Sequence, residues 1–236
     1  MSTSPAVWLK QPRGRRGTPP LTRDRIVTEA IALLDAEGIT RLTMRRLAER
    51  LGTGATTLYW HVDTKDDVLD LALDAVFAEA HVPSPSEDWR ADVTALIGRW
   101  RAAMLRHPWS ATLLGRPLLG PNVLERTEFM HTALKRAGLT GVSLASAAYG
   151  LSHYVIGSAV TEASWHQRDE QAVQDAAARY VHANRDAYPT LSEQGHPSDL
   201  DWDTAFSRGL GYLLDGIEVT LRNSRPAARW ERSSSR

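Results

Sequence analysis

Apolar residues recur every three to four positions through most of this chain, and in no stretch does the strict alternation of a half-buried strand persist. That feature excludes sheet architectures and commits the chain to an all-α fold of helices packed on helices. One stretch is punctuated more sharply than the rest: residues 41–65, RLTMRRLAERLGTGATTLYWHVDTK. Leu42, Leu47, Ala48 and Leu51 keep helical spacing, Gly52 and Gly54 interrupt it, and residues 55–62 leave room for two further turns. A short amphipathic helix, a glycine-bearing turn and a second short helix make a helix-turn-helix. The second helix carries Thr56, Thr57, Tyr59, Trp60 and His61, with no acidic residue among them. Hydroxyls, an imidazole and aromatic edges are groups that meet phosphates and base edges in a DNA groove.

The flanking residues fit a small helical head. Thr22 is the predicted N-cap of a first helix, with Ile26, Val27, Ala30, Ile31, Leu33 and Leu34 on its apolar face and Glu37-Gly38 at its end. Thr43 is the predicted N-cap of the second helix, and its hydroxyl with the free N–H groups behind it makes a seat for phosphate. Thr64-Lys65-Asp66-Asp67 has the pattern of a capping box and opens a fourth helix reaching to about Ala80. At about 1.5 Å per residue that helix spans about 24 Å, enough to act as a rigid connection to whatever follows.

Charge supports a polyanionic partner for the head alone. The chain holds 28 basic and 28 acidic residues, but residues 1–62 contain 10 of the former and 5 of the latter. A basic head is thus balanced by an acidic remainder. Residues 1–21, rich in Pro, Gly and Ser, are expected to be a flexible arm; Lys10, Arg13, Arg15 and Arg16 suit it either to a minor groove or to keeping the chain soluble. There is no cysteine, which removes disulfides and thiolate metal sites. With no secretory h-region and no apolar run of roughly 20 residues, the chain is expected in the cytoplasm.

The run Leu51-Gly52 followed by Thr57-Leu58-Tyr59-Trp60-His61-Val62 and Lys65 resembles the DNA-binding signature of the TetR family of bacterial transcriptional repressors, in its tetracycline-repressor branch. The resemblance extends upstream through Ile26 to Gly38 and downstream to about Ala80. It implies a three-helix DNA-binding domain fused to a larger helical domain for dimerisation and ligand binding. The expected DNA-contacting set is Arg15, Arg16, Thr43, Arg45, Ala55, Thr56, Thr57, Tyr59, Trp60, His61 and Lys65. The expected organisation is an arm over 1–21, the head over 22–66, the regulatory body over 67–224 and a flexible tail over 225–236.

The body reads as helix throughout. Helices are predicted over 89–106, over a short turn from Trp109, over 122–137, over 143–167, over 171–188 and over 201–222, with loops over 117–121 and 189–200. The 143–167 segment is almost free of charge before Glu162, which suits a helix buried nearly all round or packed closely on another. Glu162 and His166 could share a metal, but their face continues into Asp169 and Glu170, and a solvated polar end is expected. The final helix, Phe206-x-x-Gly209-Leu210 and on to Gly216-Ile217-Glu218, also resembles the tetracycline-repressor branch, where it joins the earlier long helix in a four-helix bundle with the partner. The expected interface residues are Tyr154, Ser158, Phe206, Gly209, Leu213, Gly216 and Ile217. Gly209 and Gly216 can serve close approach to a partner helix or to a helix of the same chain.

A homodimer also follows from the DNA chemistry, because one short helix reads few base pairs and a two-fold dimer matches a palindromic operator. A body this large invites a small-molecule effector between its helices. Candidate lining residues are His81, Trp100, Met104, Trp109, Phe129, Tyr149 and His153, a set suited to a hydrophobic or aromatic compound. His81 falls where the tetracycline repressors place a drug-contacting His. The helix of Leu96 and Trp100 lacks that branch's Asn and Phe, however, and Leu113-Leu114-Gly115-Arg116-Pro117 lacks its metal-binding His. Tetracycline, magnesium and any other cofactor are therefore not expected. No His-Glu-x-x-His, Gly-x-Ser-x-Gly or phosphate-binding glycine loop suggests an enzyme. The reading is a ligand-responsive repressor; the alternatives are an effector-independent DNA-binding dimer and a helical enzyme with a basic appendage.

Overall fold

In a computed structural model, residues 21–113, 119–166, 170–194 and 201–224 are described; the expected arm residues Arg15 and Arg16, and Gly115, Arg116 and Pro117, lie outside them. Eleven α-helices and no strand occur among the described residues. In chain order they are α1 (Arg23–Glu37), α2 (Met44–Arg50), α3 (Ala55–Leu58), α4 (Lys65–Glu79), α5 (Trp89–Arg106), α6 (Pro108–Ala111), α7 (Pro121–Ala137), α8 (Gly141–His166), α9 (Glu170–Ala183), α10 (Pro189–Gln194) and α11 (Trp202–Ser224). A 3-10 turn, Ile39–Arg41, links α1 to α2.

The helix starts follow side-chain chemistry. Thr22 accepts a hydrogen bond from Arg25 N (3.2 Å), Thr43 from Arg46 N (3.1 Å) and Asp88 from Arg90 N (2.9 Å) and Ala91 N (3.1 Å). Thr64 and Asp67 form a reciprocal capping box at the start of α4, and α6 and α7 each carry Pro in the first turn, where no N–H is needed. The predicted loop over 189–200 is in part wrong: Pro189 starts the short α10, pre-setting φ for a helical turn.

One continuous apolar core runs through head and body. Ile26, Leu33 and Leu34 of α1 meet Leu47, Leu58 and Val62 in the head; Leu96, Ile97, Met104, Met130, Leu134, Leu151 and Val155 fill the body; Val68, Ala72, Val76 and Phe77 of α4 join the two. α4 is fastened to the body by polar groups as well. The Asp74 carboxylate accepts from Val123 N (3.0 Å), Asn122 N (3.3 Å) and Asn122 Nδ2 (2.6 Å) at the start of α7. Buried Arg126 of α7 donates to the Ala78 and Ala80 carbonyls (3.0 and 2.7 Å), which the end of α4 leaves without helical partners. No described helix is long and apolar enough to cross a membrane.

Glu162 corrects the expectation of a solvated polar end. It is buried on α8 and paired with Arg101 of α5 at 2.6 Å, and Arg101 also meets Asp203 of α11 at 2.5 Å and stacks over Phe206. Three helices share that cation, so removing it would strand a buried carboxylate.

Candidate nucleic-acid interface and regulatory body

α2 and α3 are held on the head by a mixture of burial and ion pairs. Arg50 pairs with Glu29, Arg46 with Glu37 (2.6 Å), and Arg25 donates to the Leu51 carbonyl (3.3 Å). Gly52 turns the chain with φ +67°, a conformation that a side chain would strain. α3 itself is a single turn extended by tighter hydrogen bonds, Trp60 N to Thr57 O and His61 N to Leu58 O, as far as Val62. Leu58 and Val62 are wholly buried, and this fixes the rotation of the helix: Tyr59 is 48% and Trp60 50% exposed, with Thr56 and Thr57 beside them on the outer face. Aromatic rings of that size are normally drawn into a core, and here the core takes Leu58 and Val62 instead.

Thr43 is exposed at the start of α2, where a cleft of about 260 Å³ is lined by Thr40, Arg41, Thr43, Arg45, Arg46 and Glu49. Thr40, Arg41 and Arg46 were not singled out from the sequence; their signal was the close spacing of Arg41, Arg45 and Arg46 around Thr43. Arg45 is exposed and pairs loosely with Glu49 (2.9 Å) on its own helix.

Three of the expected contact residues have structural duties. Lys65 Nζ donates to the Ile39 carbonyl (2.9 Å), tying the start of α4 to the 3-10 turn. Ala55 packs partly against the core. His61 is half-buried, with Nδ1 enclosed and without a hydrogen-bond partner among the described residues. Burial, with the nearby Arg23 charge, pushes its pKa below the ordinary value, so the ring is neutral at pH 7 and offers no cation to a phosphate.

The expected ligand residues take different positions among the described residues of the body. Trp100, Met104 and Phe129 are core residues, and Trp100 lies edge-on to Phe77 with ring centroids 5.2 Å apart. Trp109 is buried but its indole N–H is committed to Asp35 (2.6 Å). His81 is exposed just past α4, where its carbonyl accepts from Arg99 (2.8 Å). Tyr149 and His153 stack on each other on the outer face of α8, because Leu151 and Val155 take the inward positions. Trp100 is distinctive: only 5% exposed, its Nε1–H has no hydrogen-bond partner among the described residues, and the same holds for Ser110 Oγ. Buried donors are rarely left unmatched.

The expected interface set divides in two. Phe206 and Tyr154 stack on each other (5.4 Å), and Tyr154 Oη donates to the Phe206 carbonyl (2.8 Å). A Cβ on Gly209 would lie 2.3 Å from Tyr154 Oη, so this glycine serves the approach of α8 to α11 within one chain. Ile217 also turns partly inward against the core. Leu213 and Gly216 stay on the outer face, where a Cβ on Gly216 would meet open space, and Ser158 borders a groove of about 400 Å³ between α8 and α11, with His153, Tyr154 and Phe206. Tyr212 (73% exposed) and Val219 extend the outer face of α11, and Val142 and Tyr149 that of α8; neither pair was singled out as interface from the sequence.

Two stretches of the chain match described protein families. Residues 26–72 match "Bacterial regulatory proteins, tetR family", and residues 82–221 match "Tetracyclin repressor-like, C-terminal domain". The chain is 45% identical over 217 residues to an HTH-type transcriptional regulator of Saccharopolyspora erythraea, covering 91% of this chain and 92% of that one. It is 35% identical over 235 residues to the HTH-type transcriptional repressor DrrR1 of Streptomyces coeruleorubidus, covering 93% and 86% respectively. Among solved structures, Streptomyces coelicolor ActR in complex with actinorhodin is similar at a TM-score of 0.79 and 33% identity, covering 86% of this chain and 99% of that one.

Proposed function

The chain belongs to the TetR family of bacterial transcriptional regulators, and from that premise we propose a homodimeric repressor that grips a palindromic operator through α3 and lets go when a small molecule enters the body. The observation that carries the DNA half is the rotation of α3: Leu58 and Val62 buried, Thr56, Thr57, Tyr59 and Trp60 turned to solvent without an acid among them. The hydroxyls and rings contact base edges, and the Thr40–Arg46 cleft seats a backbone phosphate and fixes the register. The helix-turn-helix head ends near Asp66 and the remainder is the regulatory body. No catalytic role is assigned to either.

The outer faces of α8 and α11, with Tyr149, Tyr212, Leu213, Gly216 and Val219, meet their two-fold copies. The effector is apolar and carries a hydrogen-bond acceptor, which answers the unmatched Trp100 Nε1–H in the interior. ActR, solved with actinorhodin, makes that compound a natural first probe. Release asks little energetically: a 100-fold loss of operator affinity corresponds to about 2.7 kcal/mol of difference in effector affinity between the two states.

The test is a gel shift on DNA upstream of the chain's own coding sequence, with and without actinorhodin. A shift that the compound abolishes in wild type, and abolishes less readily in Trp100→Phe, is the expected result. A shift that a panel of apolar acceptor compounds leaves untouched would support the effector-independent reading instead.

A further inference from the structure

α1 reaches the body at its last turn, and it does so through a charged group. The Asp35 carboxylate lies 2.8 Å from His107 Nδ1 and 2.6 Å from Trp109 Nε1. The other ring nitrogen, His107 Nε2, lies 2.9 Å from Glu79 Oε1 on the last turn of α4, and Glu79 is held in turn by Arg106 (2.6 Å). One imidazole thus joins three parts of the molecule: the first helix of the head, the connecting helix and the α5–α6 corner of the body. Each ring nitrogen faces a carboxylate oxygen, so the ring bridges Asp35 and Glu79. The His107 side chain is 11% exposed, which shelters these contacts from the solvent that weakens surface ion pairs.

Position matters as much as charge. His107 is the corner residue, closing α5 and opening α6 with φ −124° and ψ 71°. Trp100 and Met104 share one face of α5, and His107 follows three residues later at its C-cap. The first two are buried in the interior of the body, on the helix that ends at the corner. α4, by contrast, is fastened to α7 by Asp74 and Arg126. The contact of Asp35 with the α5–α6 corner is therefore a second tie between head and body, apart from the one that α4 makes.

We propose that His107, with Trp109, is a latch on Asp35 that sets the angle of the head on the body, and that repacking around Trp100 and Met104 opens it. The latch rests on the head-and-body reading given above, but its test needs neither operator nor effector. The chain has no cysteine, so two introduced ones give clean attachment points. Spin labels at Thr56→Cys on α3 and Lys135→Cys on α7, in labelled protein diluted with unlabelled protein, report the head-to-body distance within one protomer. Wild type should give one narrow distance distribution; His107→Ala and Asp35→Asn should each broaden it roughly twofold or shift its mean. Leu134→Ala, a core truncation on α7 with no part in the latch, controls for mere destabilisation. Asp35 is a third exposed, so Asp35→Asn keeps the test open should His107→Ala not fold. Distributions unchanged in the latch variants, or equally changed by Leu134→Ala, would overturn the latch. Failure of wild type to bind operator would count against the functional reading alone.

Discussion

At the scale of single residues, the side chains proposed to read DNA and those that hold the helix in place are interspersed from Thr57 to Val62. Tyr59 and Trp60 face out and Leu58 and Val62 face in, so their substitutions should separate cleanly. Tyr59→Ala should weaken operator binding about tenfold or more, in line with the ~1–3 kcal/mol of a lost base-edge contact, and leave thermal unfolding nearly unchanged. Leu58→Ala should instead cost about 2–5 kcal/mol of stability, seen as a lower melting temperature before any DNA is added. His61 adds a pH dependence. Its folded pKa lies below the ordinary 6.5, so below that pH the unfolded chain binds the extra proton and stability falls as the medium is acidified. Denaturant titrations between pH 7 and 5 should show that decline, and His61→Gln should flatten it. The carboxylates of Glu79 and Asp92 contribute in a separate, more acidic window. Burial works to raise both, but hydrogen bonds from Arg106 and His107 in one case, and from Ser86 and Arg136 in the other, hold them low.

At the scale of elements, the helix starts were legible because capping is local. Thr22, Thr43, Thr64 and Asp88 each cap from within three residues, and a sequence displays that spacing directly. What stayed hidden depended on partners far along the chain. Glu162 looked like part of a solvated face because Arg101 lies 61 positions away, and the hold of the Ile39 carbonyl on Lys65 was hidden because it lies 26 away. Gly209 is the sharpest case: its helix-packing role was readable, but whether the approaching helix belonged to the same chain was not. Gly209→Ala should cost about 1–3 kcal/mol by forcing Tyr154 aside. Combining it with Tyr154→Ala should cost less than the two changes summed, a coupling that a double-mutant cycle in urea would measure. Additive costs would mean that the two helices part without strain.

At the scale of the whole molecule, the DNA chemistry and the exposed apolar faces of α8 and α11 support the same proposal, a second copy seated on those faces. Gly216→Glu and Val219→Asp place charge where a two-fold partner would sit, while disturbing no contact inside the protomer at Gly216. Sedimentation velocity should then show monomers where wild type is dimeric, and the variants should lose specific operator binding while keeping weak, salt-sensitive affinity for any DNA. The most direct measurement joins all three scales: a hydroxyl-radical footprint of the full-length protein on operator DNA, compared with the Tyr59→Ala variant. Two protected patches related by a two-fold axis and about one helical turn apart, weakened in Tyr59→Ala, are the expected result. A single protected patch, or a footprint indifferent to Tyr59, would contradict the assignment of a paired α3 as the DNA-reading element.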